Sequence, residues 1–400
     1  MVKIRGLRTN LLLLIVFIAA GLLIAAILLS APMGSVPNPL SLALEGGQYT
    51  LSSVGRNNVS MTHFVEDRQE EARDVLTAAL TSLESGRGRL AAAGNTGDEY
   101  VLRMVENYQI MAESSGVMSE GVENLLSISD DLKSALDHYW RGEFEEASQN
   151  ASVCLQTLSP LVSDFERWNQ SLNDLDYRYV ASGQREQTRQ AVRQYRSAME
   201  TYLQYILLLR SLQEGANYLE MRQLIDEYLR QMQSSIARGD YDAARELIQE
   251  ISRILQSLGS QNCQNAATTA SQLDPNALSG SATEAAQDLK TRLKPTEGIE
   301  GLEEYLERLK EYLEALGYLE QAEQAENEGQ TDLAQYYREL AEQAASDGLT
   351  GLGQGSGQGD EQGTGTGSGQ GDPELQNLYQ GLTEAFNSLL MRIRGEPEQG

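Results

Sequence analysis

The chain has 400 residues and a formal net charge of −27, with 58 acidic residues against 31 basic ones. This negative charge repels nucleic acids and anionic lipid headgroups, so we exclude DNA or RNA as a partner. Catalysis at neutral pH usually needs a tuned histidine, cysteine, lysine or carboxylate pair, and the chain has only two histidines and two cysteines. We therefore expect no enzymatic activity, no cofactor and no metal.

The first element along the chain is an apolar run at residues 11–29, LLLLIVFIAAGLLIAAILL. As a helix it is about 28 Å long, close to the roughly 30 Å hydrocarbon core of a bilayer. Lys3, Arg5 and Arg8 precede it, which predicts a cytoplasmic N-terminus and an extracytoplasmic remainder. We predict a cytoplasmic tail at 1–10 and a transmembrane signal anchor at 11–30.

Two other interpretations of this run stay open. A cleaved signal peptide usually has a shorter apolar region, and Pro32 suits a cleavage junction poorly. A pilin-like leader processed after Gly6 would make the chain a subunit of a surface filament or layer. We favour the uncleaved anchor because the run is long enough to span a bilayer.

Helical texture begins after residues 31–60, which are rich in Pro, Gly, Ser and Asn and are predicted to form a stalk. From 61 to 258 we predict a helical-hairpin region. Apolar residues recur there at three and four from Ala72 to Leu83, the pattern of an amphipathic helix. A break at 94–97 separates that helix from a second one at about 98–126.

The most informative stretch of this region is 134–160, SALDHYWRGEFEEASQNASVCLQTLSP. It resembles the helix-turn-helix of a tetratricopeptide (TPR) repeat through Ala135, Gly142, Phe144, Ala147 and Pro160. Glycine permits the tight reversal, the aromatic fills the space between two helices, and alanine lets them approach closely. The resemblance implies a hairpin that serves protein–protein interaction.

The same turn recurs twice further along the chain. Gly239, Tyr241 and Ala244 repeat it, and so do Gly329 and Ala334, with Thr331 in the aromatic position. The wide spacing of the three glycines differs from the 34-residue period of a tandem array. We predict three degenerate units, each a long helix followed by a hairpin, stacked into an elongated body.

The last third of the chain alternates polar and apolar segments. A polar connector at 259–298, with one helix near 282–293, leads to a helical hairpin at 299–347 that carries a strong leucine and tyrosine stripe. A Gly/Gln/Ser-rich flexible linker is predicted at 348–372. An amphipathic helix follows at 373–395, opened by Asp372 and Pro373.

This C-terminal helix is the best candidate for a docking element because it is amphipathic and tethered by a flexible arm. It could dock on a partner, fold back onto its own bundle, or lie on a membrane surface. Its apolar face consists of Leu375, Leu378, Tyr379, Leu382, Phe386, Leu389, Leu390 and Ile393.

Cys154 and Cys263 permit either one disulfide or two buried thiols, because an even count in an oxidising exterior allows pairing. Overall, the pattern predicts an all-α, TPR-like extracytoplasmic body on a single membrane span. We interpret it as a scaffold that binds unidentified envelope proteins. A filament subunit and an extracellular sensing bundle are the alternatives, and the sequence leaves the oligomeric state open.

Overall fold

The computed structural model describes residues 38–258, 261–293, 297–355 and 373–394. Within these ranges the regular secondary structure is helical throughout, which confirms the all-α prediction. The predicted cytoplasmic tail at 1–10 and anchor at 11–30 lie outside the described residues. Among the helices that are described, none is both long and apolar enough to cross a membrane.

The helices form units in which one helix, a tight turn and a second helix are followed by one or two further helices. In the described part of the chain they are, in order, α1 (Pro39–Val65), α2 (Gln69–Ala93), α3 (Glu99–Ser127), α4 (Ser129–Trp140), α5 (Phe144–Leu158), α6 (Val162–Ser171), α7 (Arg185–Ala237), α8 (Tyr241–Leu258), α9 (Gln261–Ser271), α10 (Gly280–Arg292), α11 (Glu297–Asn327), α12 (Thr331–Gly355) and α13 (Pro373–Arg394). Short 3₁₀ turns connect α5 to α6 and α6 to α7.

Helices α1, α2 and α3 form the first unit, an up-down-up bundle. The Ser53 hydroxyl donates to the carbonyl of Ala79 at 2.8 Å, and the Ser60 hydroxyl donates to that of Ala72, so α2 runs antiparallel to α1. The side chain of Asn57 in α1 forms hydrogen bonds with Ser115 and Ser119 of α3. The predicted helices at 72–83 and 98–126 are confirmed as parts of α2 and α3.

The prediction of a stalk at 31–60 is wrong for residues 39–60, which belong to α1. Asn38 caps this helix by accepting from the amide of Leu40 at 3.0 Å, and Pro39 occupies the first turn. Gly46, Gly47, Ser53 and Ser60 are buried against the neighbouring helices, where small side chains allow close backbone approach. A Cβ on Gly47 would lie 2.6 Å from the ring of Tyr108, so α1 and α3 can meet here only through glycine.

A buried hydrogen-bond network joins α1 to both neighbours. The Asn57 amide donates to the Ser115 carbonyl at 2.9 Å and to the Ser119 hydroxyl at 2.9 Å. The Ser115 hydroxyl donates to that of Ser53 at 2.8 Å. Because these side chains are buried and bonded, they fix the register of the three helices rather than destabilising them.

Helix α7 is the spine of the molecule, with 53 residues and therefore a length of about 80 Å. It packs on α1, α3, α5 and α6. The hydroxyls of Tyr195 and Tyr202 donate to the carbonyls of Phe165 at 2.9 Å and Leu158 at 2.8 Å, which fixes the second unit (α4–α6) against the spine.

Helix α7 also packs on α8, α9 and α10, and these four helices form the third unit. The polar connector predicted at 259–298 contains two helices, α9 and α10, where one was expected. Apolar burial in this segment comes mostly from alanine, which gives a weak periodic pattern in the sequence. Leu293 packs directly on the backbone of α7, 2.9 Å from where a Cβ of Gly215 would lie.

Helices α11, α12 and α13 form the last unit, also up-down-up. Aromatic rings fill its interior: Tyr305 meets Tyr379 at 5.8 Å between ring centroids, and Tyr312 meets Phe386 at 5.2 Å. The linker predicted at 348–372 begins too early, because α12 continues to Gly355. Gly348 lets the ring of Phe386 sit against α12, so this glycine, which was predicted to lie in the linker, belongs to the packing.

Candidate interaction surface

The three predicted turns share one backbone geometry. Gly142, Gly239 and Gly329 each have φ of +75°, in the left-handed region that favours glycine. Each lies between two helices, α4 and α5, α7 and α8, or α11 and α12.

The hydrogen bonds around these glycines are also the same. The Gly142 amide donates to the Tyr139 carbonyl at 3.0 Å, and the next amide, of Glu143, reaches back to His138 at 3.0 Å. Gly239 and Gly329 repeat both bonds. This is the Schellman arrangement that ends a helix, and here the following residue already opens the next helix.

The side chains that follow each turn occupy the places that the pattern requires. Phe144 and Ala147 are buried in the first of these hairpins. In the second, Ala244 is buried and Tyr241 is half-buried, and in the third Ala334 is buried. Thr331, which replaces the aromatic in the third hairpin, is exposed.

A fourth turn of the same kind joins α1 to α2, and sequence reasoning missed it. Asp67 has φ of +58°, its amide donates to Phe64, and the amide of Arg68 donates to His63. Ala72, five residues after Asp67, is buried as Ala147 is. Because Asp replaces Gly here, the pattern Gly-aromatic-x-x-Ala does not detect it. The described chain therefore contains four such hairpins, where three were predicted.

Large apolar side chains stand exposed near two of these turns. Trp140, two residues before Gly142, is 46% exposed and packs edge-on against Tyr139 at 5.1 Å. Leu333 and Tyr336, shortly after Gly329, are 40% and 54% exposed. Exposed aromatic residues are typical of interaction surfaces because they offer large contact area with few degrees of freedom.

The predicted docking helix, α13, folds back onto its own bundle. Its four central apolar residues, Leu382, Phe386, Leu389 and Leu390, are buried against α11 and α12, whereas Leu378, Tyr379 and Ile393 are half-buried. The side chain of Leu375 lies outside the described residues. The Tyr379 hydroxyl donates to the Gly301 carbonyl at 2.7 Å, and Arg392 and Arg394 pair with Glu323 and Glu342. In this structure the apolar face of α13 is thus occupied by its own chain.

The two cysteines are both buried, and no disulfide joins them. Cys154 lies on α5 and Cys263 on α9, and both of these helices pack on α7. Burial raises the pKa of the Cys154 thiol to about 12, so its reactive thiolate form is scarce at neutral pH. Of the two alternatives left open by the sequence, the buried-thiol alternative is the one the structure contains.

Other candidate sites in the described residues are shallow. Among these residues no group of three His, Cys, Asp or Glu side chains could hold a metal ion. A groove of about 500 Å³ lies between α2, α3 and α6. Its only polar pair in contact, Arg87 with Glu113 at 2.8 Å, is already satisfied internally. The turns and the exposed residues beside them are therefore the best-defined candidate surface.

Comparisons of this chain with protein-family models, curated proteins and solved structures find no match.

Proposed function

We propose that this chain is a membrane-anchored extracytoplasmic scaffold that binds other proteins of the cell envelope through its helical hairpins. The apolar run at 11–29 and the basic residues before it support the anchor and the orientation. The first three hairpins would be held at fixed positions by the spine helix α7, and the last one through the packing of α11 on α8.

The observation that carries the proposal is the repeated turn with exposed apolar side chains beside it. Rigid helical hairpins present side chains at fixed spacing, which favours binding because little conformational entropy is lost. Trp140 on the second unit and Tyr336 on the last unit are the largest such side chains among the described residues. The resemblance of the 134–160 stretch to a TPR hairpin also supports a protein ligand.

Photo-crosslinking in intact cells tests this proposal. A photoreactive amino acid would replace Trp140 or Tyr336, and Glu84 in the middle of α2 would serve as the matched exposed control. We expect discrete adducts with an envelope protein from positions 140 and 336 and none from position 84. Adducts with copies of this chain alone would favour a filament or layer subunit, and the absence of any adduct would overturn both interpretations.

The orientation has its own test, with a tag at each terminus. External protease should remove the C-terminal tag while the N-terminal tag stays protected in the membrane fraction. Release of the whole body in soluble form would show that the run at 11–29 is a leader, which contradicts the anchor.

A further inference from the structure

The outer face of α12 carries a row of apolar side chains. Leu333 is 40% and Tyr336 54% exposed, and Tyr337, Leu340 and Ala344 are half-buried. Their spacing of three and four residues places them along one side of the helix. The rings of Tyr336 and Tyr337 lie 5.7 Å apart. We call this set of five residues the α12 stripe.

Ala344 at one end of the α12 stripe packs against the core, whereas Leu333 and Tyr336 are its exposed members. Helix α13 meets α12 through other residues: Glu342 pairs with Arg394 at 2.8 Å, and Gly348 accommodates Phe386. Helix α11 contributes Tyr318 at the border of the stripe, near Tyr336. In the part of the chain that the structure describes, α13 therefore leaves the exposed side of Leu333 and Tyr336 uncovered.

The surroundings of the α12 stripe are strongly acidic. From residue 314 to residue 350 the sequence has a single basic residue, Arg338, and it pairs with Glu326. Four exposed carboxylates near the stripe make no ion pair with any described residue: Glu314, Glu328, Asp332 and Glu339. Their remaining contacts are hydrogen bonds from neutral groups, as when the Tyr318 hydroxyl donates to Glu314 at 2.9 Å.

The geometry points to the α12 stripe as the binding surface for a basic amphipathic helix of another protein. An apolar row along one helix matches the i, i+3, i+4, i+7 anchors that such a ligand presents. Lysine or arginine residues flanking those anchors would neutralise the unpaired carboxylates, and this charge complementarity selects the partner. The inference rests on the proposed function, because it names the class of partner that one hairpin takes.

Peptide binding to the full chain in nanodiscs of zwitterionic lipid tests the inference. The probe is a fluorescently labelled helical peptide of leucine and lysine. Its controls are a peptide with glutamate in place of lysine and a peptide of the same composition without helical periodicity. We expect the basic periodic peptide to bind, both controls to bind at least about tenfold more weakly, and added salt to weaken binding.

Surface variants locate the site. The double variant L333Q/Y336Q should weaken binding by about tenfold or more. Its matched control is V153Q, which alters a side chain of similar exposure, 49%, on α5. D332N/E339Q should reduce both affinity and salt dependence, whereas E145Q/E146Q on α5 should change neither.

Three outcomes would overturn the inference. They are equal binding of the acidic and basic peptides, unchanged binding to L333Q/Y336Q, and self-association of the chain that this variant abolishes, which would assign the surface to a second copy. Each of these leaves crosslinking at Trp140 unaffected, so the inference can fail while the proposed scaffold function stands.

Discussion

The first unit (α1–α3) and the last unit (α11–α13) have the same helix order and the same opening turn but different interiors. The first adds buried glycine, serine and asparagine to its leucines and methionines, with backbones in close approach and hydroxyls bonded across helices. The last is built around tyrosine, phenylalanine and leucine. One topology can thus be held with buried polar contacts between its helices or with large aromatic rings between them.

The largest expected effect concerns the aromatic interior of the last unit. Phe386→Ala removes a fully buried ring that packs on Tyr312 and Gly348, which should cost about 3–5 kcal/mol. We expect residues 373–394 to lose protection in hydrogen exchange while the first unit keeps its own. Ser388→Ala, an exposed change on the same helix, is the control. Unchanged protection of α13 would contradict the packing described for it.

The polar interior of the first unit should depend on its central amide. Asn57→Ala removes two buried hydrogen bonds and leaves Ser119 and the carbonyl of Ser115 only the 3.0 Å bond between them, at a cost of about 1–3 kcal/mol. Denaturant unfolding measures the change, and Asn58→Ala, one residue further on and outside the network, should stay within about 0.5 kcal/mol. Equal effects of the two variants would show that the network adds no stability.

Close backbone approach in the first unit can be tested with two glycines of the same helix. A Cβ at Gly47 would lie 2.6 Å from the ring of Tyr108, so Gly47→Ala should destabilise by about 1–3 kcal/mol. A Cβ at Gly55 meets nothing within 4 Å, so Gly55→Ala should stabilise α1 by about 0.5–1 kcal/mol. The thermal unfolding midpoints of the two variants should shift in opposite directions. Shifts of the same sign would contradict the close approach of α1 to α3 at Gly47.

The turn residues that follow the first helix of each of these two units, Asp67 and Gly329, can each be replaced by the other residue type. Asp67 holds a left-handed conformation at φ +58°, which costs a residue with a Cβ up to about 1–2 kcal/mol. Asp67→Gly should therefore stabilise the chain by about 1 kcal/mol, less the small contribution of the exposed ion pair with Lys133. Gly329→Asp should destabilise it by a similar amount. Unfolding midpoints of both variants check this, and changes of the same sign would contradict the shared geometry.

The same contrast explains what the sequence could predict. The last unit is predicted by leucines and tyrosines at helical spacing, and the residues from Leu302 to Leu316 indicate α11 clearly. Helix α1 of the first unit was not predicted because Gly46, Gly47 and Ser53 are typical of loops. They are compatible with a helix here because a neighbouring helix lies against them. Secondary-structure propensity describes a helix alone in water, whereas α1 is stabilised by what packs on it.

The candidate surface was also predictable only in part. The glycines at 142, 239 and 329 follow from local chemistry, because few other residues tolerate φ of +75°. The turn at Asp67 and the folding back of α13 depend on contacts distant in sequence, such as that between Arg392 and Glu323. An amphipathic face indicates that a helix packs against something. Which segment or partner it packs against can be read only from the tertiary structure.

The continuous helix α7 has a mechanical consequence. A helix of about 80 Å that belongs to the cores of three units at once fixes the distance between its two ends. The turn at Gly239 is thereby kept at a set distance from the start of α7. If residues 11–29 fix the chain in a bilayer, the length of α7 limits how far from the membrane the last hairpins can lie.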